Sequence, residues 1–98
     1  MKYMVTWNLH EDKRHETLEL FANMSLQDYQ NQPGPSVKTL GRWHDLVRGC
    51  GVAVFETEDL EALSLALLGW TDLCDIDMVP VLDDKEAHAA ANKFIADK

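Results

Sequence analysis

The spacing of apolar residues switches repeatedly along the chain, and the order of these switches constrains the fold more than any other feature. Residues 2–9 alternate in the manner of a strand and are rich in aromatic and β-branched side chains. Residues 37–46, 52–57 and 72–82 also have the character of strands, and helical spacing follows the first and third of these four segments. The order βαββαβ plus a terminal helix predicts one ferredoxin-like α+β domain over residues 1–98, with a four-stranded antiparallel sheet.

The ends of the helices follow from residues that start or stop helical backbone. The first helix is predicted over residues 11–30, with an apolar stripe at Leu18, Phe21, Ala22 and Ser25 that ends before the segment Pro33-Gly34-Pro35. Thr57 is the expected N-cap of the second helix, and Asp83 that of the terminal helix. Pro80 indicates either an edge position for the fourth strand or the end of its ladder pairing, because proline cannot donate a ladder hydrogen bond.

Charge and cysteine content exclude several functional classes. The chain has 17 acidic and 9 basic residues, and the net charge of −8 repels nucleic acids and anionic membranes. It shows no signal peptide and no apolar run that would span a bilayer. Cys50 and Cys74 lack metal or redox spacing, and no phosphate-binding glycine loop occurs, so we expect no metal and no cofactor. We expect a cytoplasmic protein with free thiols.

An arrangement with both helices on one side of the sheet leaves the other side uncovered. That side would carry apolar residues such as Met4, Leu40, Val52 and Val54. A contiguous apolar surface of this kind usually marks an interface. We therefore expect a homodimer that forms through the open sheet face.

Several short motifs together resemble a known family. They are Tyr-Met-Val-Thr-Trp at residues 3–7, Gly-Arg-Trp-His at 41–44, Gly-Val-Ala-Val-Phe-Glu-Thr at 51–57, Trp70, and Pro-Val-Leu-Asp-Asp at 80–84. They resemble a small bacterial family of domains of unknown function, which is similar to the dimeric α/β-barrel, ferredoxin-like superfamily. The resemblance implies a homodimer whose sheets enclose a cavity. Members of that superfamily include monooxygenases, haem-degrading enzymes, isomerases, dehydratases and stress-responsive proteins, so the likeness does not choose a chemistry.

The candidate site is the hairpin over residues 40–56, in which Arg42, His44 and Glu56 interrupt apolar strand sequence. Such side chains are costly to bury unless they are paired or hydrated. If Val47 pairs with Gly51, then Arg42 lies opposite Glu56 and all three polar residues share a face. A four-residue loop splits them between the two faces instead. We favour the first register, because it places Trp43, Ala53 and Phe55 together in the core facing the helices.

Two interpretations of this trio remain open. Arg42 would bind an anionic or carbonyl oxygen, with His44 as acid or base and Glu56 orienting either one. Alternatively, Arg42 and Glu56 form a structural ion pair and His44 is only a hydrogen-bonding neighbour. His10 and His15 are predicted at a solvated helix end, and Asp75 and Asp77 on a solvent-facing strand, because neither pair has the spacing of a metal site.

The leading functional prediction is small-molecule binding in a cavity between the sheets of a homodimer, with cofactor-independent catalysis as an extension. The alternative is a protein-interaction or regulatory module that uses the acidic surface and the terminal helix. A binding site requires a cavity that touches at least two of Arg42, His44 and Glu56. An interaction module would instead show the three bonded to one another with no adjacent void.

Overall fold

The computed structural model describes residues 1–98 and contains a four-stranded antiparallel sheet in the order β2-β3-β1-β4. The elements occur in the predicted order βαββαβ with a terminal helix, so the α+β, ferredoxin-like arrangement is confirmed. The strands are β1 (Lys2–Leu9), β2 (Lys38–Asp45), β3 (Cys50–Glu56) and β4 (Cys74–Val81), and the helices are α1 (Arg14–Asn23), α2 (Leu26–Gln30), α3 (Leu60–Leu68) and α4 (Asp84–Ala96), with a 3-10 turn at Glu11–Lys13.

The first helical segment is two helices rather than one. The chain becomes extended at Met24, and the Ser25 side chain accepts a hydrogen bond from the backbone N–H of Asp28 to begin α2. A serine hydroxyl competes with helical backbone bonds and favours an N-cap. The prediction that Ser25 continues the apolar stripe of one long helix was therefore wrong, and the break turns α2 towards β2.

The caps of α3 and α4 show how short polar residues set the helix starts. Asp59, rather than Thr57, caps α3 by accepting from the backbone N–H of Ala62. Thr57 lies two residues before Asp59, and its hydroxyl accepts from Asp59 N and donates to Ser36 O, both at 2.9 Å. For α4 the predicted cap is confirmed, because Asp83 and Glu86 form a reciprocal capping box.

The core lies on one face of the sheet, beneath α3. Leu63 of α3 is fully buried against alternate residues of the central strands β1 and β3, which are Tyr3, Val5, Ala53 and Phe55. Only 10 of the 98 residues are buried, which is a small core for a domain of this length. The single chain therefore leaves much of its apolar surface without a partner.

The register of the β2–β3 hairpin differs from the predicted one. Asp45 pairs with Cys50, so the loop is the four residues 46–49, and Arg42 pairs with Ala53 rather than with Glu56. A bulge lies between Thr39 and Gly41. Because side chains alternate along a strand, this shift moves residues 41–45 of β2 to the opposite face from the one predicted, whereas Lys38 and Thr39, before the bulge, keep the predicted face.

The observed register separates the predicted trio. Arg42 and His44 share the helix-covered face with Ala53, whereas Glu56 lies on the open face. Trp43 was predicted to face the helices, and this was wrong: it lies opposite Val52 on the open face and is 62% exposed. The predicted cross-strand ion pair between Arg42 and Glu56 is therefore absent.

Two glycines explain the register. Gly49 has a φ of +71° at the end of the hairpin loop, and its N–H donates to Asp45 O at 2.9 Å, closing that loop. Gly51 lies beneath the indole of Trp7, where a Cβ would stand 2.1 Å from a ring carbon. Of these two glycines only Gly49 turns the chain, while Gly51 makes room for an aromatic ring.

The terminal helix and the open face remain uncovered in the single chain. Helix α4 buries no residue, and Phe94 and Ile95 are 62% and 66% exposed. The molecule measures 53 × 28 × 19 Å, an elongated outline for one small domain. Of the two alternatives for Pro80, the structure shows the edge position, because β4 is an edge strand and contains this residue. None of the helices has both the length and the apolar character needed to cross a bilayer.

Candidate functional site

A cavity of about 230 Å³ lies between the sheet and the helices. Its walls come from β1, β2, β3, β4, α1, α2 and the residues around the end of α3, and 15 of its 24 lining residues are hydrophobic. Of the predicted trio, Arg42 and His44 line the cavity and Glu56 does not. The cavity therefore lies within one chain on the helix-covered face, and not on the open face where the predicted dimer would form.

Arg42 is fixed at the wall of the cavity by the end of α2. Its Nη1 donates to the carbonyl O of Gln32 and its Nη2 to that of Tyr29, each at 3.2 Å. The guanidinium carbon lies 4.3 Å from the centre of the Tyr29 ring, in cation–π geometry. These contacts leave the other guanidinium N–H groups without a protein acceptor, because arginine has five donors.

His44 stands among aromatic rings at the edge of the same cavity. Its ring stacks on Phe21 with centroids 5.3 Å apart and meets the edge of Trp7 at 5.5 Å. Its Nε2 lies 3.5 Å from the Tyr29 hydroxyl. Burial and, secondly, the Arg42 charge lower the pKa of His44 below its ordinary value of 6.5, so the imidazole is neutral at neutral pH.

Glu56 belongs to a different cluster on the open face. Lys2 Nζ lies 3.3 Å from a carboxylate oxygen of Glu56, 3.3 Å from one of Asp83 and 3.1 Å from one of Glu86. The hydrogen bonds that Lys2 donates to the carboxylates of Glu86 and Asp83 raise the pKa of Lys2 above its ordinary value. This cluster connects β1 and β3 to the start of α4, so the structure gives Glu56 a structural ion pair with Lys2.

Two polar residues near the cavity were not singled out from the sequence. Gln32 follows α2, and its Oε1 accepts from Trp70 Nε1 at 3.1 Å while its backbone O accepts from Arg42. Tyr29 supplies a ring to Arg42 and a hydroxyl to His44, and burial raises the pKa of its phenol. Neither residue stands in a motif, and only the break after α1 that turns α2 towards β2 brings them to the site.

Both cysteines border the cavity as free thiols. Cys74 is buried and donates through Sγ to Trp70 O at 3.3 Å. Burial and the neighbouring Asp75 carboxylate raise the pKa of this thiol, which disfavours the reactive thiolate. Cys74 therefore serves as part of the wall rather than as a nucleophile.

The histidines and aspartates that the sequence placed at the surface lie outside the cavity, with one exception. His10 Nε2 contacts the exposed Asp75 at 3.1 Å, and Asp77 is exposed on β4. His15 is exposed but contributes to the cavity rim on α1. The ionisable wall of the cavity therefore consists mainly of Arg14, Arg42, His15, His44, Tyr29 and Asp45.

Comparison with known proteins adds a family but no activity. A search of curated proteins finds no match. A family profile described as a domain of unknown function (DUF3303) matches residues 1–95, which is nearly the whole chain. The chain therefore belongs to the DUF3303 family of domains of unknown function.

Proposed function

We propose that the protein binds a small molecule in the cavity beside Arg42 and His44. The observation that supports this proposal is that both side chains line one mainly apolar cavity, with His44 at its exposed edge, and that each has hydrogen-bonding capacity left over. Binding sites typically combine an apolar lining with a few fixed polar groups. The neutral imidazole of His44 is suited to accept or return a proton, so cofactor-independent catalysis is an extension of the same proposal.

The test is a thermal-shift screen of small molecules against the wild-type protein, Arg42→Ala and His44→Ala. Some ligands should raise the melting temperature of the wild-type protein, because a ligand that binds only the folded state stabilises it. The same ligands should not raise the melting temperature of Arg42→Ala or His44→Ala. They should still raise that of Arg48→Ala, a variant on the exposed hairpin loop. A wild-type protein that no compound stabilises would contradict binding, and folded variants that bind normally would contradict the site.

A second copy of the chain is the proposed partner of the open sheet face. Met4, Trp43 and Val79 on this face are 37%, 62% and 44% exposed, beside the half-buried Val52 and Val54. Because few residues are buried within one chain, a self-complementary contact between two such faces would supply the missing core. A reducing cytoplasmic setting suits the two free thiols and belongs to the same proposal.

Light scattering tests the proposed dimer. The wild-type protein should have twice the chain mass of 11.1 kDa at micromolar concentration. Trp43→Glu should reduce the mass to that of one chain, while Leu65→Glu should not, although both wild-type side chains are 62% exposed. A wild-type monomer at that concentration would contradict the dimer.

The alternative function, a protein-interaction module, rests on one observation. Helix α4 carries an apolar stripe of Ala87, Ala90, Ala91, Phe94 and Ile95 that contacts no core. If the screen finds no ligand and removal of residues 84–98 leaves a folded monomer, this surface becomes the leading candidate for function.

A further inference from the structure

The arginines of this chain have no carboxylate partners. All six ion pairs involve lysine, histidine or the N-terminus, and none involves Arg14, Arg42 or Arg48. The chain offers 17 acidic side chains for 9 lysines and arginines, so carboxylates are abundant elsewhere. A partly buried guanidinium without a counter-charge is costly, and the cost falls when an anion binds.

The wall of the cavity has the opposite charge balance to the whole protein. Arg14 and Arg42 line it, and the one carboxylate in the wall is that of Asp45. Asp45 Oδ1 already accepts a hydrogen bond from the backbone N–H of Arg48 in the hairpin loop, at 3.1 Å. A net positive cavity in a protein of charge −8 favours the entry of an anion over that of a cation.

Arg42 is held in a fixed orientation before any ligand arrives. Carbonyl groups of Tyr29 and Gln32 hold two of its N–H groups, and the Tyr29 ring supports its face. A planar guanidinium fixed in this way binds a carboxylate through two parallel hydrogen bonds with little loss of side-chain entropy. Because His44 is neutral at neutral pH, Arg42 is the charged partner on this part of the wall.

The apolar part of the cavity wall indicates which kind of apolar group a ligand would carry. Trp7, Phe21 and Trp70 supply aromatic surface, and the volume of about 230 Å³ lies below the ~300–1,000 Å³ typical of sites for drug-sized ligands. A cavity below that range favours a small ligand, with a single aromatic ring or a short alkyl chain as its apolar part.

We propose that the cavity binds a small organic monocarboxylate, with its carboxylate on the free N–H groups of Arg42 and its apolar body against the aromatic wall. This inference rests on the proposed function and narrows it to one ligand class. The simpler role for Arg42, a cap on the last carbonyls of α2, uses two donors and requires no anion.

The probes are phenylacetate and its neutral isostere phenylacetamide, which differ in charge but hardly in shape. Binding is measured by tryptophan fluorescence in Trp43→Phe protein, because Trp7 and Trp70, the two indoles that remain, line the cavity. Phenylacetate should bind roughly tenfold or more tightly, as expected for a charge-assisted hydrogen-bonded pair. Arg42→Met should remove this preference, and Arg48→Met should retain it.

Different outcomes would contradict the carboxylate ligand and the proposed small-molecule binding. Equal binding of acid and amide would overturn the carboxylate while leaving a binding cavity. An acid preference that survives in a folded Arg42→Met protein would overturn Arg42 as the partner of the carboxylate. Failure of both probes, together with hexanoate and hexanamide, would overturn the inference and count against the proposed function. If Arg42→Met does not fold, the relative affinities of phenylacetate and phenylacetamide for protein that retains Arg42 still decide whether the cavity prefers a carboxylate.

Discussion

The two faces of the sheet carry different side chains, and helices cover only one of them. The covered face combines a small core around Leu63 with a cavity that contains Arg42 and His44. The open face presents Trp43 and Val79 to solvent and ends at the Lys2 cluster. On the covered face, rings and carbonyl groups fix the orientation of Arg42 and His44, whereas the apolar residues of the open face contact no other part of the core. This difference is the basis on which we propose ligand binding for the covered face and assembly for the open face.

The largest expected effect on stability comes from truncating a core side chain on the covered face. Leu63→Ala should lower the free energy of unfolding by about 2–5 kcal/mol, because it removes a fully buried side chain and leaves a cavity. Leu65→Ala on the same helix, where the side chain is 62% exposed, should change it by about 0.5 kcal/mol or less. Urea denaturation measures both, and equal effects would contradict a core confined beneath α3.

The second largest effect is expected where the ring of Trp7, which lines the cavity, packs against Gly51. Gly51→Ala places a Cβ against the Trp7 ring and should cost about 1–3 kcal/mol, with a change in tryptophan fluorescence as the ring moves. Gly69→Ala is the matched control, because its Cβ would lie 3.4 Å from the nearest carbonyl O and its backbone is helical. Control and test variants of equal stability would show that Trp7 does not cover Gly51.

The element order could be predicted from the sequence, but the register of the hairpin could not. Apolar period and caps identify the strands and the start of α4 at Asp83, since these signals are local. The bulge before Gly41 depends on packing across strands and leaves no local signal. Trp43 was placed on the wrong face for a different reason, because the loop was expected between Val47 and Gly51 rather than between Asp45 and Cys50. Asp45, which accepts from Arg48 N, together with Gly49, is the turn signal that would have corrected it.

The smallest expected effect is a dependence of stability on pH that comes from the covered face. Unfolding restores the ordinary pKa of His44 near 6.5, whereas the folded chain lowers it, so the unfolded state takes up the proton first. The free energy of unfolding should therefore fall as the pH drops below about 6.5 towards the lowered pKa of the folded state. His44→Gln should flatten this part of the profile, and His88→Gln on the exposed α4 should not. Urea titrations across this range measure it, and an identical slope in His44→Gln would contradict a lowered pKa of His44 in the folded chain.

Nuclear Overhauser effects on the wild-type protein test most directly which side chains lie on which face of the sheet. The register predicts contacts of the His44 ring with the rings of Phe21 and Tyr29, whose centroids lie 5.3 Å and 5.8 Å away, and a cross-strand contact between Arg42 and Ala53. Cross-strand contacts between Arg42 and Glu56, with His44 facing Val54, would contradict it. In that case Arg42 and His44 would lie on the open face, and the cavity would lose both of its defining side chains.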